Sequence, residues 1–178
     1  MKFEETFIKG AYILKPEIFG DSRGYFFESF KKEDFERNIG AVNFIQDNES
    51  KSSAGVLRGL HFQKGEYAQA KLVRVITGAV LDVIVDIRPE SPTFGKHFSV
   101  RLTGDNKLQL FLPRGMAHGF VVLENDTVFS YKVDNFYSPE NESGILYNDP
   151  SLSIDWQFAE PSLILSGKDK KLPLLSEL

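Results

Sequence analysis

The stretch Ala79-Val80-Leu81-Asp82-Val83-Ile84-Val85-Asp86-Ile87 decides the fold class of this 178-residue chain. Its odd-numbered positions from Leu81 to Ile87 are all apolar, whereas Asp82 and Asp86 alternate with apolar residues on the other face. A period of two indicates a β-strand with one face in the core and a mixed second face. We expect the two carboxylates to be strand-edge or interface charges and do not include them in the candidate site.

Similar β-type segments occupy most of the chain and are separated by turn signals such as Gly104-Asp105-Asn106. Many short strands with turns between them predict a sandwich or barrel. One short helix is predicted at Lys32–Asn38, ended by Gly40, and helix is expected mainly there and in the C-terminal tail. The fold is therefore predicted to be mainly β, in one domain of residues 1–178. The other predicted strands are Tyr12–Lys15, Tyr25–Phe30, Phe44–Asp47, Val56–Phe62, Lys71–Thr77, His97–Leu102, Leu108–Leu112, Gly119–Leu123 and Thr127–Val133.

The composition restricts the classes of function. The net charge of −4 and the pI of about 5.4 offer no basic field for nucleic acid or an anionic membrane. The absence of cysteine excludes disulfides, thiolate nucleophiles and Cys-metal sites. The N-terminus lacks the apolar core of a signal peptide, and no apolar run approaches membrane-spanning length. We expect a cytoplasmic protein without nucleic-acid or membrane partners.

The stretch Leu57-Arg58-Gly59-Leu60-His61-Phe62-Gln63 is the first candidate for chemistry. It places one of only three histidines on a predicted strand, with Arg58 nearby and Lys71 opening a later strand. Histidine has the unperturbed pKa nearest neutrality, so a rigid histidine beside cations suits proton abstraction next to a carbonyl. Taken alone, a strand histidine is more often a hydrogen-bonded core residue.

The positions of Arg58 and His61 raise a geometric problem. They have opposite parity, so a regular strand would direct their side chains to opposite faces. Two solutions remain open from the sequence. Gly59 allows a bulge or twist, or Arg58 curls over the rim of the barrel.

The segment Pro113-Arg114-Gly115-Met116-Ala117-His118 resembles the second motif of the cupins, which are small jelly-roll barrels. The first cupin motif carries His-x-His, and the equivalent here is His61-Phe62-Gln63. Glutamine is a poor ligand for the metals that imidazole suits. The remaining histidine, His97, follows a turn and is expected at the surface. We therefore predict no metal centre.

A more specific resemblance covers nearly the whole chain. The sequence resembles the dTDP-4-dehydrorhamnose 3,5-epimerases, and this implies a cupin-like jelly-roll barrel of two antiparallel sheets without a cofactor. Any one matching segment is weak, whereas the whole set in this order is specific. The matching segments are Phe19–Glu28, Gln46–Asn48, Leu57–Gln63, Lys71–Val75, Ser91–Gly95, Pro113–Phe120, Tyr131–Val133, Tyr137–Pro139, Glu142–Ile145, Asn148–Pro150, Ile154–Trp156 and Leu165–Asp169.

The resemblance implies inversion at C3 and C5 of dTDP-4-dehydro-6-deoxyglucose, the two carbons whose protons the 4-keto group acidifies. His61 matches the family's base, and Asp169 matches the carboxylate that orients it. Lys71 matches the cation that stabilises the enolate oxygen. Tyr131 matches the acid that returns a proton to the opposite face of the ring.

The resemblance also implies a binding set. Arg23, Arg58 and Lys168 match contacts to the diphosphate and sugar, and Tyr137 matches the residue that stacks on thymine. A homodimer is implied in which the Arg23–Phe30 region crosses to the partner, an N-terminal strand exchange that would cover an aromatic edge. The further substrate contacts that the resemblance implies are Phe26, Glu28, Gln46, Asn48, His118 and Glu142.

Other functions remain open at this level. Within the family they are a single-site epimerase or a ketoisomerase serving another deoxysugar. Outside it they are a sugar-binding or storage cupin and a metal-dependent cupin oxygenase. The presence of both His61 and Tyr131 favours inversion, because a ketoisomerase needs no acid on the opposite face, and Gln63 argues against the oxygenase.

Overall fold

The computed structural model describes residues 1–178, which form strands, one α-helix and five short 3₁₀ helices. The strands are β1 (Lys2–Glu5), β2 (Tyr12–Lys15), β3 (Phe19–Asp21), β4 (Gly24–Phe26), β5 (Gln46–Ser52), β6 (Leu57–Gln63), β7 (Lys71–Thr77), β8 (Ala79–Asp86), β9 (His97–Thr103), β10 (Gln109–Leu112), β11 (Met116–Val122), β12 (Thr127–Val133) and β13 (Glu142–Gly144). The α-helix is α1 (Lys32–Asn38), and the 3₁₀ helices are Gly65–Tyr67, Pro139–Asn141, Glu160–Ser162, Asp169–Lys171 and Leu175–Glu177.

Two antiparallel sheets build the barrel. The six-stranded sheet has the order β1-β2-β10-β7-β12-β5, and the five-stranded sheet has the order β13-β6-β11-β8-β9. Strands β3 and β4 pair only with each other and form a separate hairpin. The prediction of a mainly β, two-sheet antiparallel barrel is thus confirmed. None of the helices is both long and apolar enough to span a bilayer.

The core has three layers because both sheets are covered on both faces. Between the sheets, Val73 and Val75 of the six-stranded sheet pack with Val80 and Ile84 of the five-stranded sheet. The outer face of the five-stranded sheet is covered by the C-terminal tail, whose apolar contacts include Trp156. The outer face of the six-stranded sheet is covered by α1 and the segments flanking it. The space between the sheets is therefore the barrel interior, where a pocket is sheltered from solvent.

Several predicted elements have the predicted bounds, namely β2, β7, β12 and α1. The prediction of one strand over Tyr25–Phe30 is wrong, because strand pairing ends at Phe26 and Phe30 packs against Phe35 of α1. The strand predicted at Phe44–Asp47 lies at Gln46–Ser52, and the one predicted from Gly119 begins at Met116. Strands β1, β3 and β13 were not predicted.

The interpretation of Asp82 and Asp86 as edge or interface charges is wrong. Strand β8 lies between β11 and β9, and both carboxylates are fully buried. Asp86 accepts hydrogen bonds from Arg88, Ser91 and Thr93 and so fastens the turn that follows β8. Burial raises the pKa of Asp86, but these bonds outweigh it and leave the pKa well below its usual range. His97, expected at the surface, begins β9 and is half-buried.

Candidate active site

A cavity of about 540 Å³ opens between the two sheets. One wall is formed by β6 and β11 of the five-stranded sheet, and the facing wall by β5, β7 and β12 of the six-stranded sheet. The C-terminal segment that contains Ser166, Lys168 and Asp169 closes one side. Segments that are far apart in sequence thus supply one concave, partly polar site.

A β-bulge in β6 brings Arg58 and His61 to the same cavity. In the ladder with β11, Arg58 is opposite Phe120 and His61 is opposite His118, so three steps on β6 match two on β11. Gly59 lies in this bulge with φ of +128°, and a Cβ there would lie 2.5 Å from the Cα of Gly119. The bulge at Gly59, one of the two open solutions, is therefore correct, and both side chains line the cavity.

His61 is hydrogen-bonded to Asp169, with 2.7 Å between Nε2 and Oδ1. The side chain of Asp169 is 5% exposed and that of His61 is 29% exposed, so the carboxylate is sheltered while the ring faces the cavity. Burial raises the pKa of Asp169, but the hydrogen bonds from His61 and Ser166 and the backbone N–H of Gly59 bring it below its ordinary value. Asp169 therefore stays ionised and holds the imidazole in one orientation.

Lys71 and Tyr131 lie on the wall that faces His61. They come from the neighbouring strands β7 and β12, and the Lys71 Nζ is 5.9 Å from the centroid of the Tyr131 ring. Burial lowers the pKa of Lys71 to about 8, opposed by the charges of Asp82 and Glu142. Burial also raises the pKa of Tyr131. The charge of Arg58 lowers this pKa, and the charge of Glu142 raises it further. Near neutral pH both groups hold their protons.

Asp82 belongs to this site, although sequence reasoning excluded it. His118 Nε2 lies 3.1 and 3.0 Å from the two oxygens of Asp82, and the carboxylate has no exposed surface. His118 lines the cavity, and Asp82 supports the positive charge of Lys71. The available signal was an acidic residue in the middle of an otherwise apolar strand, since a buried charge needs a partner.

A second cavity of about 310 Å³ adjoins the first and shares His61, Lys71 and Tyr131 with it. Its other lining residues include four of the predicted binding residues, which are Gln46, Asn48, Tyr137 and Glu142. The Tyr137 hydroxyl donates to Glu142 Oε2 at 2.5 Å, and Lys168 forms an ion pair with the same oxygen. Burial by itself raises the pKa of Glu142. The hydrogen bonds from Lys168 and Tyr137 outweigh this effect, so the pKa of Glu142 is below its ordinary value.

Three predicted binding residues lie apart from both cavities. The side chain of Arg23 is 88% exposed and pairs with Asp21, and Phe26 is 66% exposed. Glu28 is also exposed. All three belong to the β3–β4 hairpin or the residues just after it. The chain thus brings together His61, Asp169, Lys71, Tyr131, Arg58, His118, Gln46, Asn48, Tyr137, Glu142 and Lys168, but not Arg23, Phe26 and Glu28.

Comparisons with known proteins identify the family of this chain. The family model described as dTDP-4-dehydrorhamnose 3,5-epimerase matches residues 5–177. The Escherichia coli K12 protein of that name is 54% identical over all of this chain and 96% of its own length.

Two crystal structures extend the likeness to the fold. The Elizabethkingia anophelis dTDP-4-dehydrorhamnose 3,5-epimerase superimposes with a TM-score of 0.96 at 52% identity, covering 99% of this chain and 97% of that one. The Legionella pneumophila dTDP-6-deoxy-D-glucose-3,5-epimerase, in complex with dTDP-4-keto-L-rhamnose, gives a TM-score of 0.94 at 47% identity, covering 98% and 93%. The cupin-like barrel expected from the sequence is confirmed, and the chain belongs to the dTDP-4-dehydrorhamnose 3,5-epimerase family.

Proposed function

We propose that this chain, as a single domain of residues 1–178, is an isomerase that inverts C3 and C5 of dTDP-4-dehydro-6-deoxyglucose to give dTDP-4-dehydro-L-rhamnose. Family membership supports the activity. One geometric observation supports the chemistry. His61 and the pair Lys71 and Tyr131 lie on facing sheets across one cavity. An inversion needs a base and an acid on opposite faces of the same ring, and this arrangement supplies both.

His61 acts as the base in this proposal. When its Nε2–H donates to Asp169, Nδ1 remains as the basic nitrogen and takes the proton from the carbon next to the 4-keto group. The electron pair of the broken C–H bond moves to the carbonyl oxygen and forms an enolate. The Asp169 carboxylate stabilises the imidazolium that results.

Lys71 stabilises the enolate oxygen, and Tyr131 completes the inversion. The protonated ammonium of Lys71 donates a charge-assisted hydrogen bond to the oxygen where negative charge develops. The Tyr131 hydroxyl then gives its proton to the carbon from the opposite face, and the carbonyl re-forms. The raised pKa of Tyr131 fits a group that is protonated before this step.

The nucleotide contacts residues of both cavities in this proposal. Arg58 and Lys168 hold the diphosphate, and Tyr137 stacks on the thymine ring. Gln46, Asn48, His118 and Glu142 contribute polar contacts. The first cavity is lined by Arg58, Lys168 and His118, and the second by Gln46, Asn48, Tyr137 and Glu142. His61 lines both cavities, which supports nucleotide contacts next to the proposed base.

The proposed assembly is a homodimer in which Arg23, Phe26 and Glu28 complete the partner's site. Support comes from the hairpin itself, where Phe19, Tyr25 and Phe26 are all more than half exposed. A cluster of exposed aromatic residues is typical of an interface. Because these three residues lie apart from the cavities of their own chain, they can contact the substrate only in the site of a second chain.

Mixing two inactive variants tests the crossed dimer. His61→Asn removes the base, and Arg23→Ala removes a hairpin cation. Dissociation and reassociation of the mixture should restore activity, because a mixed dimer holds one site with both intact groups. If the mixture stays as inactive as its parents, or if light scattering at micromolar concentration gives a monomer, the crossed dimer is wrong.

Incubation with dTDP-4-dehydro-6-deoxyglucose in deuterated water tests the activity, with deuterium at C3 and C5 counted by NMR. Incorporation and inversion at both carbons are expected. Inversion at one carbon would identify a single-site epimerase, and a product with its carbonyl moved would identify a ketoisomerase.

Activity should survive exhaustive chelation, since the amide of Gln63 is engaged by backbone groups and no cluster of three His, Cys, Asp or Glu side chains is arranged to bind a metal. A cytoplasmic location stays a prediction.

A further inference from the structure

Gln63 is a buried polar residue that the proposed chemistry does not use. It lies on β6, and only 8% of its surface is exposed. Its amide nitrogen donates to the carbonyl oxygens of Tyr67 at 2.9 Å and Phe136 at 3.0 Å. Its amide oxygen accepts the backbone N–H of Ser138 at 2.6 Å. Both N–H donors and the oxygen of this side chain are therefore hydrogen-bonded to the backbone of two loops.

Two of these three bonds lie directly on either side of Tyr137. The Phe136 carbonyl precedes it and the Ser138 N–H follows it, so one amide holds the backbone at both ends of this residue. Tyr137 is 56% exposed, and its hydroxyl is hydrogen-bonded to Glu142. The orientation of the ring therefore depends strongly on the backbone that carries it.

The neighbouring polar bonds hold a different part of the loop. Asn135 donates to the carbonyl of Glu66, Gln69 donates to the carbonyl of Asn135, and Asp134 accepts the N–H of Ala70. These bonds attach the loop's first residues to the segment before β7. Gln63 acts further along, at the aromatic residue.

Gln63 also relates this loop to the catalytic base. It is two residues after His61 on the same strand, so both side chains point to the same face, about 7 Å apart along the strand. His61, Gln63 and Tyr137 line the same cavity. Strand β6 is paired with β13 from His61 to Gln63 and also with β11 at His61, so this stretch is a rigid spacer between the base and the loop that carries the aromatic ring.

We propose that Gln63 is a positioning residue that fixes Tyr137, and through it the nucleobase end of the substrate, relative to His61. This rests on the proposed stacking role of Tyr137. The residue type follows from the bonds it makes. Glutamate at this position would set a carboxylate against two carbonyl oxygens, and methionine would fill the space without any hydrogen bond, leaving buried backbone groups unpaired.

The test is a double-mutant cycle with Gln63→Met and Tyr137→Ala, using dTDP as the probe in calorimetry and the full substrate in kinetics. Base–aromatic stacking of ordinary strength predicts that Tyr137→Ala weakens dTDP binding by roughly 5- to 150-fold. Gln63→Met should weaken it within the same range and raise KM, with kcat within about threefold of wild type, because the lost contact binds ground state and transition state alike. The double variant should bind dTDP with about the affinity of whichever single variant binds it less tightly, because Gln63 acts through Tyr137.

The outcomes separate this proposal from the proposed function. If Tyr137→Ala weakens dTDP binding and Gln63→Met does not, the positioning role fails while the stacking role stands. If Tyr137→Ala leaves dTDP binding unchanged, the stacking role is wrong and the positioning role falls with it. If the loss of dTDP affinity in the double variant equals the product of the two single losses, Gln63 acts independently of Tyr137.

A purely structural role is also distinguishable. It would lower the melting temperature and kcat and leave KM and dTDP affinity as in wild type, which would overturn the proposal. If Gln63→Met does not fold, the isosteric Gln63→Glu takes its place in the same cycle, with the same expected loss of dTDP affinity. Unchanged dTDP affinity in a folded Gln63→Glu would likewise overturn it.

Discussion

His61 and Asp169 are in hydrogen-bond contact at 2.7 Å, although 108 positions separate them in the chain. His61 is held by the bulged strand β6, and Asp169 begins a 3₁₀ helix in the C-terminal tail. The tail is anchored beside β6, where the Leu57 N–H donates to the Ile164 carbonyl at 3.0 Å. The proposed base therefore depends on a tail that is pinned to the same strand.

Asp169→Asn should lower kcat by about 10²- to 10⁴-fold, since it removes the charge that orients and stabilises the imidazolium. Deuterium wash-in at C3 and C5, measured at saturating substrate, should fall by the same factor. Asp86→Asn is the matched control, because that carboxylate is equally buried but is bonded to Arg88 away from the cavity. The control should lose stability and keep its exchange rate per folded molecule. Wild-type exchange in Asp169→Asn would contradict the proposed pairing.

Tyr131→Phe should separate proton exchange from inversion. The variant retains the base and loses the hydroxyl on the facing wall, so a proton removed by His61 can return only to the face it left. We expect NMR to show deuterium entering the substrate with little inverted product, whereas His61→Asn should give neither. Epimerisation at the wild-type rate in Tyr131→Phe would assign the acid to water or another residue.

The pH dependence of kcat should report the charge of Lys71. Its pKa of about 8 lies below the ordinary lysine value, so the ammonium is present below that pH and is lost as the pH rises through it. We therefore expect kcat to fall above about pH 8. Asp82→Asn removes a negative charge that raises this pKa, so the falling limb should move to lower pH in a pH–rate profile. A limb that stays in place would show that another group titrates.

Gly59→Ala should disable the site and weaken the fold. A Cβ at this residue would lie 2.5 Å from the Cα of Gly119 and 2.8 Å from the carbonyl oxygen of His118, and its positive φ is unfavourable for alanine. The expected cost is about 1–3 kcal/mol of unfolding free energy, with most activity lost because the bulge that aims His61 is displaced. Denaturant unfolding measures the cost. Gly167→Ala, where a Cβ meets nothing within 4 Å, is the control and should unfold like wild type.

Local sequence patterns identified the strands and the helix whose secondary structure depends on their own residues. Strands β2, β7 and β12 have the predicted bounds because β-branched and apolar residues recur there between turn signals, and α1 because its apolar positions precede Gly40. Strands β1 and β13 have no such pattern. They are extended because β2 and β6 offer them backbone partners, which no local pattern records.

The family and its residue types were readable in the sequence by itself, since ordered segments from Phe19 to Asp169 resemble one family and the comparisons confirm it. The sequence did not distinguish Asp82 from Asp86, which share one parity on β8. Only the tertiary structure sets Asp82 against His118 in the cavity and Asp86 against Arg88 in a turn. It also decided, by the bulge opposite β11, that Arg58 and His61 face one pocket. Periodicity reports which face of its own strand a residue occupies, whereas cross-strand register depends on pairing between distant segments.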